Sequence, residues 1–234
     1  MKVTAIRTQL FEEKTDLVSF AVHHIPSMAE NSILGVSSKV VALWKGCTTP
    51  YRDAAQKETL IQSQSQAALK TPLAWFTIKD GMVMTNAGVD ESNARGKLIY
   101  LPDCYVCADE LCQALKRAWQ LQNLGVVITD SMILPLRAGV IAAAVGYAGF
   151  RGTRDLRGKK DLFGKKLQTT LVNVADSLAT AAALVMGEAD EQCPLCIIEG
   201  APVVFSDTVN REEIKYPLQD DLYTPLLKAA KLIK

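Results

Sequence analysis

Three acidic residues stand where the punctuation of the chain leaves a side chain free for chemistry. Asp90 lies in TNAGVDESN, residues 85–93, a Gly-containing stretch with Asn86, Ser92 and Asn93 around it. Asp130 follows the run Gly125-Val126-Val127-Ile128-Thr129, which reads as a buried strand delivering Asp130 to its carboxyl end, where open sheets tend to place ligands. Glu188 comes directly after Gly187, a natural stop for the helical pattern before it. Carboxylates on three loops make the hard-oxygen donor set that Mg²⁺ or Mn²⁺ takes, often shared with substrate phosphates. Taken singly, each is more often a cap or turn residue.

Cationic side chains gather in GYAGFRGTRDLRGKKD, residues 146–161. A P-loop needs four residues between its glycines and Ser or Thr after Lys; here Gly152 and Gly158 are separated by five, and Lys160 follows Lys159. The spacing fails the dinucleotide fingerprint as well. Arg151, Arg154, Arg157, Lys159, Lys160 and Lys165 can still hold phosphate or carboxylate oxygens, although a solvated basic loop is the simpler reading. Cys104/Cys107 and Cys193/Cys196 form two CxxC pairs that offer thiolates to a structural zinc, against the plainer reading of small core residues. The only histidines, His23 and His24, are adjacent, so a Ser-His-Asp triad has nothing to build from.

The elements that must position these residues follow from hydrophobic periodicity. Residues 32–44, SILGVSSKVVALW, read as a buried strand continuing toward Lys45, and the polar stretch from Arg52 to Lys70 as an exposed helix. Trp75–Ile78 and Met82–Met84 around Asp80-Gly81 predict a hairpin, and Lys97–Leu101 a short strand. Ala108, Leu111, Cys112, Leu115, Ala118 and Trp119 recur at helical spacing, with Asp109-Glu110 near the start and Lys116-Arg117 near the end. Leu171, Val174, Ala175, Leu178, Ala182 and Val185 form a second helical face that stops at Gly187. Leu195–Ile198 and Val203–Phe205 supply further strands. Helices and strands mix without a βαβ rhythm and no repeat or linker divides the chain, which predicts an α+β fold with residues 1–234 as one domain of two intimately connected lobes.

Composition narrows the setting. With 49% hydrophobic and 22% charged residues the chain is that of an ordered globular protein, and 26 basic against 25 acidic side chains give no global field toward nucleic acid or an anionic membrane. Ala138–Phe150, 13 weakly polar residues, falls short of the roughly 20 that span a bilayer. MKVTAIRTQLFEEKTD has no apolar core of a secretory signal, and six cysteines are too sparse for a disulfide scaffold; a reducing, cytoplasmic setting is expected.

NAGVDESN at 86–93, GVVITDS at 125–131 and KDLFGKKLQTTLVNVADSLATAAALVMGE at 160–188 together resemble, in order and rough spacing, the coenzyme F-420 γ-glutamyl ligase family. Through ITDS, PLR, FGKKL, VNVAD, MGE and EQCPLCIIE the likeness is closer to a bacterial branch associated with folate metabolism. It runs from about Val3 to Leu227. The resemblance implies a two-lobed mixed sheet and helix fold in an intertwined homodimer. It implies divalent-metal ligands at Asp90, Asp130 and Glu188, with Ser131 where archaeal members carry a metal-associated Thr. It further implies nucleotide contacts, GTP or ATP, at Thr8, Gln9, Leu10 and Phe11, at Ser38 and Lys39, at Asn93, and in the loop from Met186 to Cys193, at Met186, Gly187, Glu188, Ala189 and Asp190.

The implied reaction transfers the γ-phosphoryl group to a substrate carboxylate, and the α-amine of L-glutamate attacks the resulting acyl phosphate. A pterin-linked, folate-type acceptor is favoured, with the deazaflavin coenzyme as the alternative. Arg137, Lys159 and Lys165 are candidates for holding phosphate or carboxylate oxygens. The chain departs from the family at Leu43, where archaeal relatives present a Lys, at Ala189, where Gly is common, and in the apolar run Met132-Ile133-Leu134. These departures motivate a rival reading, a catalytically silent nucleotide-binding protein; retention of all three acids opposes it.

Overall fold

Alternate side chains of the central strands turn to helices on opposite faces of one sheet, and that alternation organises the chain. A computed structural model describes residues 1–208 and 210–233; Val209 and Lys234, which the one-domain expectation includes, lie outside the described residues. In chain order the elements are β1 (Lys2–Ile6), α1 (Leu17–His24), β2 (Ser32–Ser37), α2 (Ser38–Trp44), β3 (Thr48–Pro50), α3 (Ala54–Ser63), β4 (Ala67–Lys70), β5 (Trp75–Lys79), β6 (Met82–Thr85), β7 (Lys97–Ile99), α4 (Cys104–Trp119), β8 (Leu124–Met132), β9 (Ile141–Ala148), β10 (Thr153–Asp155), β11 (Leu171–Asn173), α5 (Val174–Met186), β12 (Leu195–Glu199) and α6 (Thr224–Ala229). The fold is α+β.

The main sheet runs β1-β12-β2-β8-β9, antiparallel throughout except for β2 and β8, which lie parallel with Ser37 opposite Thr129. Leu34, Val36, Val126 and Ile128 face α1 and α4, meeting Leu17, Phe20, Ala108, Leu111 and Leu115. Ile33 and Val127 face α5, meeting Ala175, Leu178, Ala179 and Ala182. Each such side chain taken fully from water contributes roughly 1.5–3 kcal/mol. At Gly35 the layers come so close that a Cβ would lie 2.5 Å from Cys196 Sγ and 3.1 Å from Ala182 Cβ, so glycine is required for the approach. Smaller sheets, β3-β7 and β4-β5-β6, carry the segment on which Asp90 is mounted. No helix among the described residues is long and apolar enough to cross a membrane.

Helix ends follow local chemistry. Asp103 caps α4, accepting from the amides of Tyr105 at 3.1 Å and Val106 at 3.2 Å. The helix therefore begins earlier than its acidic pair suggests, and Asp109-Glu110 lie beyond its first turn. Asn173 caps α5, accepting from the Asp176 amide at 3.0 Å, and Gly187 ends it at φ 83°. The 80–81 turn is built as expected, with Asp80 at φ 53° and Gly81 at φ 78°.

Several expectations are corrected. Residues 32–44 are not one strand: after Ser37 the chain turns into α2, and Val40 and Val41 are buried in the α1/α4 core, where packing outweighs their strand preference. The 52–70 segment is helical only to Ser63; Ala67–Lys70 pairs with β5 and widens the hairpin to three strands. Leu171 belongs to β11, opposite Asp155, and Met186 rather than Val185 completes the buried face of α5. Residues 203–205 form no strand; Phe205 makes an isolated bridge to Phe150.

Candidate active site

The parallel pair β2/β8 fixes the floor. Because Ser37 is level with Thr129, the residues that follow them, Ser38 at the start of α2 and Asp130 within β8, emerge side by side, and the Ser38 hydroxyl donates to Asp130 Oδ1 at 2.7 Å. A bulge sharpens this corner. Ile128 pairs with Gly146 but Thr129 with Ala144, leaving Val145 as the extra residue on β9, and such bulges re-aim the side chains beside them. The bulge is held from α5, where Asp176 Oδ1 accepts the Ala144 amide at 2.9 Å and the Thr180 hydroxyl donates to the Ala142 carbonyl at 2.7 Å.

Above this floor lies a cavity of about 690 Å³, walled by residues 8–11, by the 85–95 loop and by residues 186–194. Its size suits a nucleotide or cofactor. Backbone bonds tie the walls together: the Thr8 amide donates to the Gln192 carbonyl at 2.9 Å and the Ser37 amide to the Pro194 carbonyl at 2.9 Å. Asn93 Nδ2 reaches across to the Ala189 carbonyl at 3.2 Å. A second hollow of about 560 Å³, lined by Thr49, Gln56, Thr59, Leu60, Ser63, Gln64 and Tyr100, has no ionisable group in its lining apart from the tyrosine.

Asp90 is mounted by backbone pairing with Ile99, amide to carbonyl at 2.9 Å and 2.8 Å. The loop before it is strained: Asn86, Ala87 and Gly88 all have positive φ, and buried Ala87 is held there by Thr77 Oγ1, which accepts its amide at 2.9 Å. Lys39 Nζ stands 2.7 Å from Asp90 Oδ2, and Ser92 gives its amide to Oδ1 at 2.9 Å and its hydroxyl to Oδ2 at 2.7 Å. Burial works against the charge on Asp90, yet these bonds hold its carboxyl below the ordinary carboxylate value. Asp130 is driven the other way. Desolvation by the protein around it, despite partial exposure of the residue, and the charge of Asp90 push its carboxyl up to about 6 against the pull of Ser38. The third acid, Glu188, accepts the Ser131 hydroxyl on Oε2 at 2.7 Å.

Every residue expected to contact nucleotide lines this cavity: Thr8, Gln9, Leu10, Phe11, Ser38, Lys39, Asn93, Met186, Gly187, Glu188, Ala189 and Asp190, as do the expected metal ligands Asp90, Asp130, Ser131 and Glu188. Arg137, Lys159 and Lys165 do not. They are exposed, Arg137 between β8 and β9 and the two lysines between β10 and β11, where residues 156–167 pair with themselves, the Gly158 amide on the Leu167 carbonyl and the Leu167 amide on the Lys159 carbonyl. Arg157 is engaged with Asp155, Nη2 to Oδ2 at 2.6 Å. Ala189 has no positive φ; it is Gly187 that takes one, at 83°, and a Cβ there would lie 2.2 Å from the Glu191 carboxyl carbon. The chain thus accommodates the departure at 189.

Sequence reasoning passed over Glu91 and Arg95, which also line the cavity, while Glu191, Gln192 and Cys193 of the expected 186–193 loop line it too. Glu191 Oε2 accepts the Ala189 amide at 2.8 Å and closes the loop that Gly187 opens. The cysteines divide between core and cavity wall. Cys104, Cys107, Cys112 and Cys196 are buried, and burial pushes Cys107 up to about 11 and Cys196 up to about 12, so they stand as protonated core thiols.

Among the described residues no three His, Cys, Asp or Glu side chains are gathered into a ready metal cluster. The donors nevertheless fit Mg²⁺ or Mn²⁺ in kind. Asp90, Glu91, Asp130, Glu188, Asp190 and Glu191 line the cavity against only Lys39 and Arg95 among the described residues. Such a surplus of carboxylate would repel a polyphosphate unless divalent cations stood between them.

Residues 5–200 match the family model described as F420-0:Gamma-glutamyl ligase. Several curated relatives carry the name coenzyme F420:L-glutamate ligase. That of Methanococcus maripaludis strain C7 is 42% identical over 143 residues, 61% of this chain and 57% of the relative, so the match spans less than two thirds of that protein's length. That of Methanopyrus kandleri strain AV19 is 36% identical over 198 residues, 80% of this chain and 76% of the relative. That of Haloarcula marismortui is 27% identical over 195 residues, 83% of this chain and 75% of the relative.

Proposed function

Because the chain belongs to the F420-0:Gamma-glutamyl ligase family, matched over residues 5–200, we propose that it is a γ-glutamyl ligase that joins L-glutamate to a deazaflavin acceptor of the F420-0 type at the expense of a nucleoside triphosphate. The relatives' names favour this acceptor over the folate-type one first expected. The observation that carries the reading is the arrival of Asp90 and Glu188, from two separate loops, and of Asp130, from within β8, at one nucleotide-sized cavity.

In this reading Asp90, Asp130 and Glu188, with Ser131, hold divalent cations. When bound, Mg²⁺ or Mn²⁺ neutralises charge on the phosphoryl group being transferred and aligns it. The protein's own groups position the partners. Ser38 holds Asp130, Ser131 holds Glu188, and Asn93 bridges two walls of the cavity. The γ-phosphoryl passes from nucleotide to the acceptor carboxylate, leaving the diphosphate; the glutamate amine then attacks the acyl carbon, and inorganic phosphate and a proton leave. No covalent nucleophile of the protein is required. The homodimer belongs to the same reading. Leu136, Leu162 and Phe163 are exposed on the two loops that carry Arg137, Lys159 and Lys165, apolar side chains that a second copy of the chain would cover.

The test is turnover with GTP or ATP, Mn²⁺ and L-glutamate, offering F420-0 and a folate in parallel and weighing products by mass spectrometry. A product heavier by one glutamyl residue is expected from F420-0, with metal-dependent nucleotide binding lost in Asp130→Asn. Product from the folate alone would restore that acceptor, and nucleotide binding without turnover on either would establish the silent protein.

A further inference from the structure

Two consecutive residues at the start of α2 already occupy the acids. Ser38 donates to Asp130 Oδ1 at 2.7 Å, while Lys39 Nζ lies 2.7 Å from Asp90 Oδ2 and 2.5 Å from Ser92 Oγ. Ser92 also donates to that same Asp90 oxygen. The ammonium is partly withdrawn from water, its side chain 30% exposed and that of Asp90 41%, and both line the cavity. This is not a peripheral surface pair. A divalent cation sits roughly 2.0–2.6 Å from a carboxylate oxygen, so an ion on Asp90 Oδ2 and an ammonium 2.7 Å from the same atom would be close neighbours of like charge.

We propose that Lys39 is the resident counter-cation of Asp90, displaced by a divalent ion and taken up by the phosphates of the nucleotide, so that metal and nucleotide each clear the way for the other. The inference rests on the metal- and nucleotide-dependent reading above and adds the order of events within it. Without nucleotide, an incoming ion evicts the ammonium from Asp90 with no phosphate to receive it, and the ion binds weakly. With phosphates present, the displaced ammonium gains a charged partner and binding of the ion strengthens. By linkage the ion must raise nucleotide affinity by the same factor. The arrangement explains how a cavity lined by carboxylates keeps Asp90 charged and in place before its ligands arrive.

Mn²⁺ alone, followed by the electron paramagnetic resonance signal of the free ion, is titrated into the wild-type chain, Lys39→Met and Lys39→Arg, and the series is repeated with GTP. Lys39→Met is expected to bind Mn²⁺ alone on the order of tenfold more tightly than wild type, while Lys39→Arg, which keeps the charge, does not. GTP should enhance Mn²⁺ binding in wild type and much less in Lys39→Met. Mn²⁺ bound by wild type but no more tightly by Lys39→Met overturns the counter-cation role and leaves the metal site standing. Equal tightening in Lys39→Arg overturns it too, because charge would not be the cause. Mn²⁺ bound by none of the three overturns the metal site and this inference together.

Discussion

Asp90 and Asp130 carry the same functional group in one cavity, yet their surroundings drive them in opposite directions, Asp90 below the ordinary value and Asp130 up to about 6. The sign for stability follows. In the ion-free protein folded Asp130 keeps its proton to about pH 6, whereas in the unfolded chain it loses it near 3.8. The folded state therefore binds more protons across that window, and stability falls as pH rises through it. Asp130→Asn removes the loss: in EDTA the variant should exceed wild type by about 3 kcal/mol above pH 7 and by almost nothing below pH 4. Denaturant midpoints at the two pH values check this; an equal gain at both would trace the effect to packing. The positions of Asp90, Asp130 and Glu188 were legible because each follows a readable strand, loop or helix stop. The partners Ser38, Lys39 and Ser131 were reached only through family resemblance, since hydrogen bonds spanning up to 92 residues leave no local signal.

At the scale of elements, α5 acts as a clamp on the edge strand β9. Asp176 serves both its helix cap, accepting from Asn173 Nδ2 at 2.6 Å, and the bulge beside Thr129. Asp176→Ala leaves the Ala144 amide without its acceptor and is expected to destabilise the fold by about 1–3 kcal/mol, with Asp176→Asn, which keeps a carbonyl oxygen, losing less. Urea unfolding measures the difference; equal losses would show that charge rather than the hydrogen bond matters. α4 and α5 were readable because each buries a wide stripe at helical period. α2 was not. Seven residues carry too little periodicity, and the Val40-Val41 pair points to strand until the surrounding core is known.

For the whole molecule, the carboxylate-rich cavity makes its ligands part of its stability. Mn²⁺ with GTP at about a hundredfold excess over the dissociation constant should stabilise the fold by roughly 2.7 kcal/mol. For a chain of this size that is a rise of roughly 5–10 °C in thermal midpoint. EDTA should reverse it, and scanning fluorimetry reads both; a midpoint indifferent to metal and nucleotide would count against the cavity as their site. Periodicity, caps and glycine stops are local properties of a chain, and from them the class of fold, the two principal helices, the hairpin and the settings of the three acids along the chain could be read. Which residues meet came from tertiary packing. The register of β2 against β8, the bulge opposite Thr129 and the return of the loop after α5 bring Lys39 to Asp90 and leave Arg137, Lys159 and Lys165 outside the cavity, because pairing between distant strands is set by the packing of the whole core.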